Sequence, residues 1–344
     1  MSIYNKLSIA IIGATGYTGL DLIYILSMHP RVQIKHLCAT KNLGKRITYF
    51  DKRIKNKLPK ISSIKKVNWM NLDLVFLSLP NGEAQKLVKK IYFKNKNLKF
   101  IDLSADFRIS NLKIFEKNYN FKHKAKNLIN DAFYSMPELN NKKIDKYRII
   151  SNPGCYPTSI QLPLVPLFKK NLLKTDNITI DSKSGYSGAG KNLKKKFKHK
   201  NLYTSTFAYS TKDHRHICEI DQQFLKLTKK KINFSFNPHL IPTYRGILSA
   251  IYVQASKGKT GKILRNSLAK YYKNSKFIKI LKLNSSLGTG NVINTNNCEI
   301  SICETRIKNK FVIFSAIDNL IKGASGQAVQ NMNLLFNFPE HQGL

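Results

Sequence analysis

Leu7-Ser8-Ile9-Ala10-Ile11-Ile12, then Gly13-Ala14-Thr15-Gly16-Tyr17-Thr18-Gly19, then Leu20 to Met28 is the stretch that decides how this chain is read. The first six residues are an unbroken β-type run, the next seven a glycine turn, and the last nine carry helical spacing of apolar side chains. The turn has the form G-x-x-G-x-x-G, a variant of the dinucleotide fingerprint. Its glycines allow a tight bend and let the backbone approach a pyrophosphate at a helix N-terminus. A glycine triplet alone is weak evidence. Lying directly after a strand and before a helix, it favours dinucleotide binding over a plain turn, with Gly13, Thr15, Gly16, Tyr17, Thr18 and Gly19 as the binding candidates.

The pattern continues downstream. A second strand, Val32 to Cys38, ends in Ala39-Thr40-Lys41-Asn42-Leu43-Gly44-Lys45-Arg46. An NAD site usually carries an acid here for the ribose 2′-OH, whereas a 2′-phosphate favours hydroxyl and basic groups, so Thr40 and the missing acid point to NADP. Leu72 to Leu79 and Leu98 to Leu103 are further apolar runs suited to strands buried on both faces, with a helix over Ala84 to Ile91 between them. The alternation predicts a doubly wound α/β domain, whose ligands gather at the carboxyl ends of the strands. Ser104, Asp106 and Arg108 are placed to line that edge, or simply to cap a loop. Residues 109 to 147 read as irregular, with Tyr134 to Leu139 the only compact element, and Arg148 to Ile150 as a short strand.

That strand leads into Ser151-Asn152-Pro153-Gly154-Cys155-Tyr156-Pro157-Thr158. Pro153 and Gly154 make a turn and Pro157 suits the first position of a helix, which puts Cys155 at or just before a helix N-terminus. Free N–H groups and the helix dipole there stabilise a thiolate, so Cys155 is a candidate nucleophile; the alternative is a buried structural cysteine. Pro163 and Pro166 predict that the helix is kinked or short. Asn177 to Lys183 alternates as a strand into Ser184-Gly185-Tyr186-Ser187-Gly188-Ala189-Gly190-Lys191, which could hold an anion or serve as a linker.

Then comes His214-Arg215-His216-Ile217-Cys218-Glu219, with Asp213 as the expected N-cap of a helix. A histidine near a thiol can take and return protons near neutral pH, and His214, His216 and Glu219 are the candidates for that work. Arg245, in Pro242-Thr243-Tyr244-Arg245-Gly246, could hold a carboxylate or phosphate in a bidentate fork. Strands are expected at Ile247 to Val253, Cys298 to Cys303 and Lys310 to Ile317, and helices over 260 to 272 and from Asp318 to Phe336. Small residues from Gly323 to Gln327 permit close approach to a neighbouring element or a ligand.

The chain has 344 residues, 42% hydrophobic, which allows two cored domains. A formal charge of +40 invites a nucleic-acid reading. The lysines, however, run from end to end beside Asn and Ile, which fits compositional bias better than a dedicated surface. Five cysteines form no CxxC pair, and there is no H-E-x-x-H, so neither a disulfide framework nor a metal site is expected. With no apolar run of membrane length, a cytoplasmic protein is expected.

The assembled motifs resemble the N-acetyl-gamma-glutamyl-phosphate reductases, relatives of aspartate-semialdehyde dehydrogenase. Eight segments carry the likeness in order: Gly13 to Gly19, Asp102 to Arg108, Met136 to Leu139, the Cys155 octapeptide, Ser184 to Gly190, His214 to His216, Pro242 to Gly246, and Lys322 to Asn333. The resemblance implies an NADP-binding Rossmann domain over 1–150 completed by 318–344, and an α+β catalytic and oligomerisation domain over 151–317, in a homodimer or homotetramer. It implies reduction of an acyl phosphate through a Cys155 thioester, with His216 or His214 as acid/base. Arg108, Ser184 and Arg245 would bind the substrate anion, and Gly323, Gly326 and Gln327 the nicotinamide side of the cofactor. Three residues depart from the family pattern: Cys218 for Pro, Ser135 for Gly, and Thr243 for Met. The rival readings are a reductase of aspartyl phosphate or of carrier-bound aminoadipyl phosphate, and a basic nucleic-acid-binding protein on a dehydrogenase scaffold.

Overall fold

The computed structural model describes residues 6–140, 143–191, 193–198 and 200–344. They fall into two compact units, Met1–Pro153 with Ala324–Leu344, and Gly154–Gly323.

In the first unit β1 (Leu7–Ile12), β2 (Val32–Cys38), β3 (Ile61–Ser62), β4 (Leu74–Leu77), β5 (Lys99–Asp102), β6 (Ala132–Tyr134) and β7 (Ile149–Ser151) form one sheet. Its order is β3-β2-β1-β4-β5-β7-β6 and every neighbouring pair is parallel. The order reverses direction between β1 and β4, so the β1 turn lies at the switch point where such sheets take their ligands. Burial on both faces explains the continuous apolar runs: Ile9, Ile11, Val75 and Phe76 are all inaccessible. Helices α1 (Tyr17–Ser27) and α2 (Glu83–Ile91) follow β1 and β4, and the C-terminal helix Gly326–Leu335 returns to pack on α1 and β5.

The described residues between 109 and 140 are more ordered than their sequence predicts. Helix α3 (Leu112–Tyr119) starts where Asn111 Oδ1 accepts from Lys113 and Ile114 N–H. Its inner face carries Phe115 and Tyr119, stacked at 4.8 Å between ring centroids. Leu112, Phe115 and Tyr119 hold helical spacing, but the lysines and asparagines around them dilute it.

The second unit is built on α4 (Cys155–Lys169), β8 (Ile178–Gly185), α5 (Leu193–Lys196), β9 (Phe207–Ala208), α6 (His216–Thr228), β10 (Phe234–Ile241), β11 (Ile247–Gln254), α7 (Gly261–Tyr271), β12 (Ile278–Ile280), β13 (Cys298–Glu304) and β14 (Lys310–Ile317). Its mixed sheet has the order β12-β13-β14-β11-β8-β10-β9. Helix α4 crosses β11 and β14, flanked by α6 and α7. A run of hydroxyls fixes it there: Ser249 Oγ lies 2.8 Å from Ser159 Oγ on α4 and 2.7 Å from Ser182 Oγ on β8.

Helix α4 corrects two expectations. It is neither short nor interrupted, but runs 15 residues through Pro163 and Pro166. Pro166 cannot donate to the Leu162 carbonyl, and the Tyr272 hydroxyl takes its place at 2.6 Å. Pro157 stands third in the helix rather than first, a position whose N–H also lacks an intrahelical acceptor. A third correction concerns α6. It begins at His216 with Arg215 as N-cap and no side-chain cap, and His214 Nδ1 accepts from His216 N–H at 3.1 Å in place of the expected Asp213. Finally, the C-terminal helix, α8 (Gly326–Leu335), is preceded by a π-turn over Ile321–Ser325.

Candidate active site

In the first unit the glycine turn is shaped by the protein at two of its three glycines. Gly13 has φ +92° and donates its N–H to Cys38 O at 2.9 Å; a Cβ there would lie 2.0 Å from Ser78 O. A Cβ on Gly19 would lie 2.3 Å from Gly13 O. Gly16, the N-cap of α1, is different. Its φ of −72° suits any residue, and a Cβ would have only Gly13 O nearby, at 3.5 Å. Helix α1 has no side-chain cap and no acid in its first turn. Its N-terminal positive dipole thus faces no compensating acid in that turn, and Thr15, Gly16, Tyr17 and Thr18 are half-buried around it. That is what a pyrophosphate requires. Thr40, Lys41, Lys45 and Arg46 are exposed beyond the end of β2, the neighbour of β1.

The loop after β5 is a buried acid cluster. Asp106 accepts from Gly82 N–H at 2.6 Å and Gln85 N–H at 3.0 Å, capping α2. Asp102 Oδ1 accepts from Ser104 N–H at 2.9 Å, while its Oδ2 and the Ser151 hydroxyl opposite it on β7 have no partner among the described residues. Burial, and the Asp106 charge next, push the Asp102 carboxyl up to about 7. Arg108 spends Nε on Asn152 O at 2.8 Å and Nη2 on Leu103 O at 3.0 Å. It ties the loop to the segment that leads into Cys155.

Sequence reading missed a network around Asn152. Asn152 Nδ2 donates to Ala324 O at 3.1 Å and its Oδ1 accepts from Asn331 Nδ2 at 3.0 Å. Asn331 Oδ1 accepts from Ser135 Oγ, which also accepts from Asn140 Nδ2 at 2.7 Å. Ser135, which stands where the family pattern has glycine, therefore joins two asparagines. Gly326 and Gln327 are buried at the start of α8.

In the second unit Cys155 is the first residue of α4, half-buried, behind an N-cap glycine with no side chain. Glu219 Oε1, fully buried on α6, accepts from Gly154 N–H at 2.8 Å. That bond makes Glu219 a support for the turn before Cys155. The His214 ring stands 4.8 Å from His216 and 5.5, 5.5 and 5.3 Å from Tyr156, Tyr209 and Phe236, all edge to face. Burial, and then Arg215, push its pKa down to about 4. Tyr209, for which no sequence signal existed, donates its hydroxyl to that of Tyr156 at 3.3 Å. Cys218 donates to Arg215 O at 3.1 Å, and its thiol is pushed up to about 12 by burial and by Glu219 and Asp221. This second thiol stays protonated and quiet.

Ser184 is buried and donates to Gly185 O at 3.0 Å. Arg245 gives Nη1 to Asn294 Oδ1 at 2.9 Å and to the buried Asp318 Oδ2 at 3.1 Å. Thr243 is exposed and takes part through its backbone, accepting from Tyr186 N–H at 2.9 Å. Gly323 lies against Cys155. Among the described residues no group of three or more His, Cys, Asp or Glu could hold a metal, and no helix is long and apolar enough to cross a membrane.

Both units match known families. The model for the semialdehyde dehydrogenase NAD binding domain matches residues 8–147, and that for the semialdehyde dehydrogenase dimerisation domain matches 155–319. The structure is similar to aspartate semialdehyde dehydrogenase II from Vibrio cholerae, with TM-score 0.73 and 17% identity over 97% of this chain and 99% of that one. It is also similar to the Candida albicans enzyme crystallised with NADP, with TM-score 0.65 and 14% identity over 96% and 99%. Fold and matched domains together define an oxidoreductase of the semialdehyde dehydrogenase class that uses NAD(P). Sequence relatives narrow this. An N-acetyl-gamma-glutamyl-phosphate reductase from Afipia carboxidovorans is 40% identical over 99% of this chain and 97% of its own. A probable chloroplastic one from Oryza sativa is 40% identical over 99% and 81%. The chain belongs to the N-acetyl-gamma-glutamyl-phosphate reductase family.

Proposed function

We propose that this protein reduces N-acetyl-L-glutamyl 5-phosphate to the 5-semialdehyde and phosphate, with NADPH as the reductant, in arginine biosynthesis. The observation that carries the reading is Cys155 at the first position of a 15-residue helix, beside a His-Arg-His segment. The dipole and N–H groups of α4 favour the thiolate. Its sulfur attacks the acyl carbon, phosphate leaves, and a thioester forms. At the start of α4 the Gly154 N–H is taken by Glu219, Pro157 has none, and that of Thr158 closes on Gly154 O. The N–H groups of Cys155 and Tyr156 are the remaining candidate donors to the oxyanion.

We assign the acid/base to His216. His214 Nδ1 is committed as an acceptor, and its depressed pKa keeps the ring neutral through the physiological range, whereas efficient proton transfer wants a pKa near the working pH. A nicotinamide cofactor held by the first unit would supply the two electrons, as hydride, that reduction of the thioester carbon requires. His216 then manages the proton on that oxygen as the carbon–sulfur bond breaks and the aldehyde leaves. Gly13, Gly16 and Gly19 with the N-terminus of α1 would hold the pyrophosphate, and Thr40 with its basic neighbours the 2′-phosphate. Arg245 and Ser184 are the proposed contacts for the substrate anion, and Arg108 keeps a supporting role through its two backbone carbonyls.

A second copy of the chain is the proposed partner. The strands of the second unit turn a mixed face away from α4, with Asp181 paired to Lys183 at 2.8 Å and to His239 at 3.1 Å, and Tyr252 46% exposed. The reading is tested by the reverse reaction: N-acetylglutamate semialdehyde, NADP and phosphate should give phosphate-dependent NADPH, and aspartate semialdehyde far less. Cys155→Ala should abolish it. Substantial turnover by that variant, or a preference for aspartate semialdehyde, overturns the assignment.

A further inference from the structure

We infer that the π-turn after β14 is a positioning device for the nucleophile, in which Gly323, set in place by Asp318, determines where the Cys155 side chain sits. The inference rests on Cys155 being the nucleophile.

The turn is held at one residue. Asp318 is fully buried; its Oδ1 accepts from Leu320 and Ile321 N–H at 2.8 and 3.2 Å, and its Oδ2 from Asn294 N–H at 2.7 Å and Arg245 Nη1 at 3.1 Å. Its carbonyl accepts from Gly323 N–H at 2.9 Å, five residues on, which is the π-type bond that admits one extra residue. In an α-turn each residue rotates about 100° from the last, so closing this turn at four residues would carry Gly323 off its present face.

What that face meets is Cys155. A Cβ on Gly323 would lie 2.7 Å from Cys155 Cβ, 3.1 Å from Cys155 Cα and 3.4 Å from Ile317 Cδ1. The first two are atoms at the root of a helix and cannot swing aside as the tip of a long side chain can. Nor does the backbone demand glycine, since Gly323 is absent from the positive-φ residues. The close approach to Cys155 is therefore the reason for its size. The same carboxylate that holds the turn pairs with Arg245, so a substrate anion that draws on Arg245 acts on the support of Cys155. π-Turns recur at functional sites, and here the cause is visible.

The test separates this from a cofactor contact and from a simple packing defect. Full-length Gly323→Ala should fold, bind NADP within about twofold of wild type, and lose kcat by on the order of 100-fold. The pH profile of Cys155 alkylation by iodoacetamide, measured without cofactor or substrate, should move to higher pH. Asp318→Asn should move it in the same direction by less. If Gly323→Ala is too unstable to assay, the Tm cycle decides: the same substitution in Cys155→Gly should cost much less, because the clashing Cβ is gone. An unchanged alkylation profile, a loss confined to NADP affinity, or equal Tm costs in both backgrounds overturns the inference. If Cys155→Ala is itself fully active, the nucleophile assignment has failed instead.

Discussion

His214 is walled in by Tyr156, Tyr209 and Phe236, and its Nδ1 is committed to the backbone of His216. Replacing it with Phe keeps the wall and removes the acceptor, so kcat should fall by about tenfold or less and the pH profile should keep its shape. His216→Ala should cost on the order of 100- to 10,000-fold, as expected for a lost general acid/base. Steady-state kinetics from pH 5 to 9 on both variants decide between them; a larger loss at His214 reverses the assignment. Glu219→Gln keeps an acceptor for Gly154 N–H and Glu219→Ala does not. Only the second should slow Cys155 alkylation, since the carboxylate acts through the turn it holds. Asp102 gives a pH prediction. Its folded pKa, about 7, lies above the ordinary carboxylate value of 3.8 in the unfolded chain. The folded protein therefore binds the extra proton between those values, and the stability this brings is present below pH 4 and lost as pH rises through 7. Asp102→Asn should be more thermostable than wild type at pH 8, by a few degrees, with the gap closing toward pH 5. These residue types were all visible in the sequence, but which ring is buried and which carboxylate is capped is decided by neighbours far along the chain.

Helix α4 shows how an element can survive what its own sequence argues against. Two prolines predicted a kinked or short helix, and the compensation lies 106 residues beyond Pro166, in the Tyr272 hydroxyl on the Leu162 carbonyl. Tyr272→Phe leaves that buried carbonyl without its donor and should cost about 1–3 kcal/mol. In a Pro166→Ala background, where the helix regains its own N–H, the same change should cost markedly less; calorimetry on the four proteins measures the coupling. The strands β1, β4, β5 and β7 were legible because burial leaves apolar runs, and β2 because its apolar residues alternate with exposed polar ones. Helix α3 was not, because only its buried face carries the signal. The π-turn was illegible for another reason: small residues from Gly323 to Ser325 announce a close approach but not what is approached.

For the whole molecule, the reading of two domains needed only the cofactor turn at the start and the thiol turn near the middle. What sequence could not supply was the network joining Ser135, Asn152 and Asn331, whose members are separated by up to 196 residues. The proposed pairing of chains makes a prediction at this scale. Tyr252→Asp, on the mixed face of the second sheet, should shift the protein toward monomer in sedimentation velocity while leaving NADP binding within about twofold; an unchanged sedimentation coefficient removes that face from the interface. The +40 charge lies across both units and gives no reason to prefer a nucleic acid over small anions. One last consequence follows from the Asn152 bond to the Ala324 carbonyl, at 3.1 Å within the first unit, and from Gly323 lying against Cys155 within the second. The first unit is interrupted at one spot and the second has its two ends together, so the segment 154–323 is a cassette spliced into one loop of an otherwise continuous nucleotide-binding fold. Splicing it out again, by joining Pro153 to Ala324 through two or three glycines, should leave a small protein that folds and retains NADP but lacks Cys155 and the thioester chemistry proposed for it.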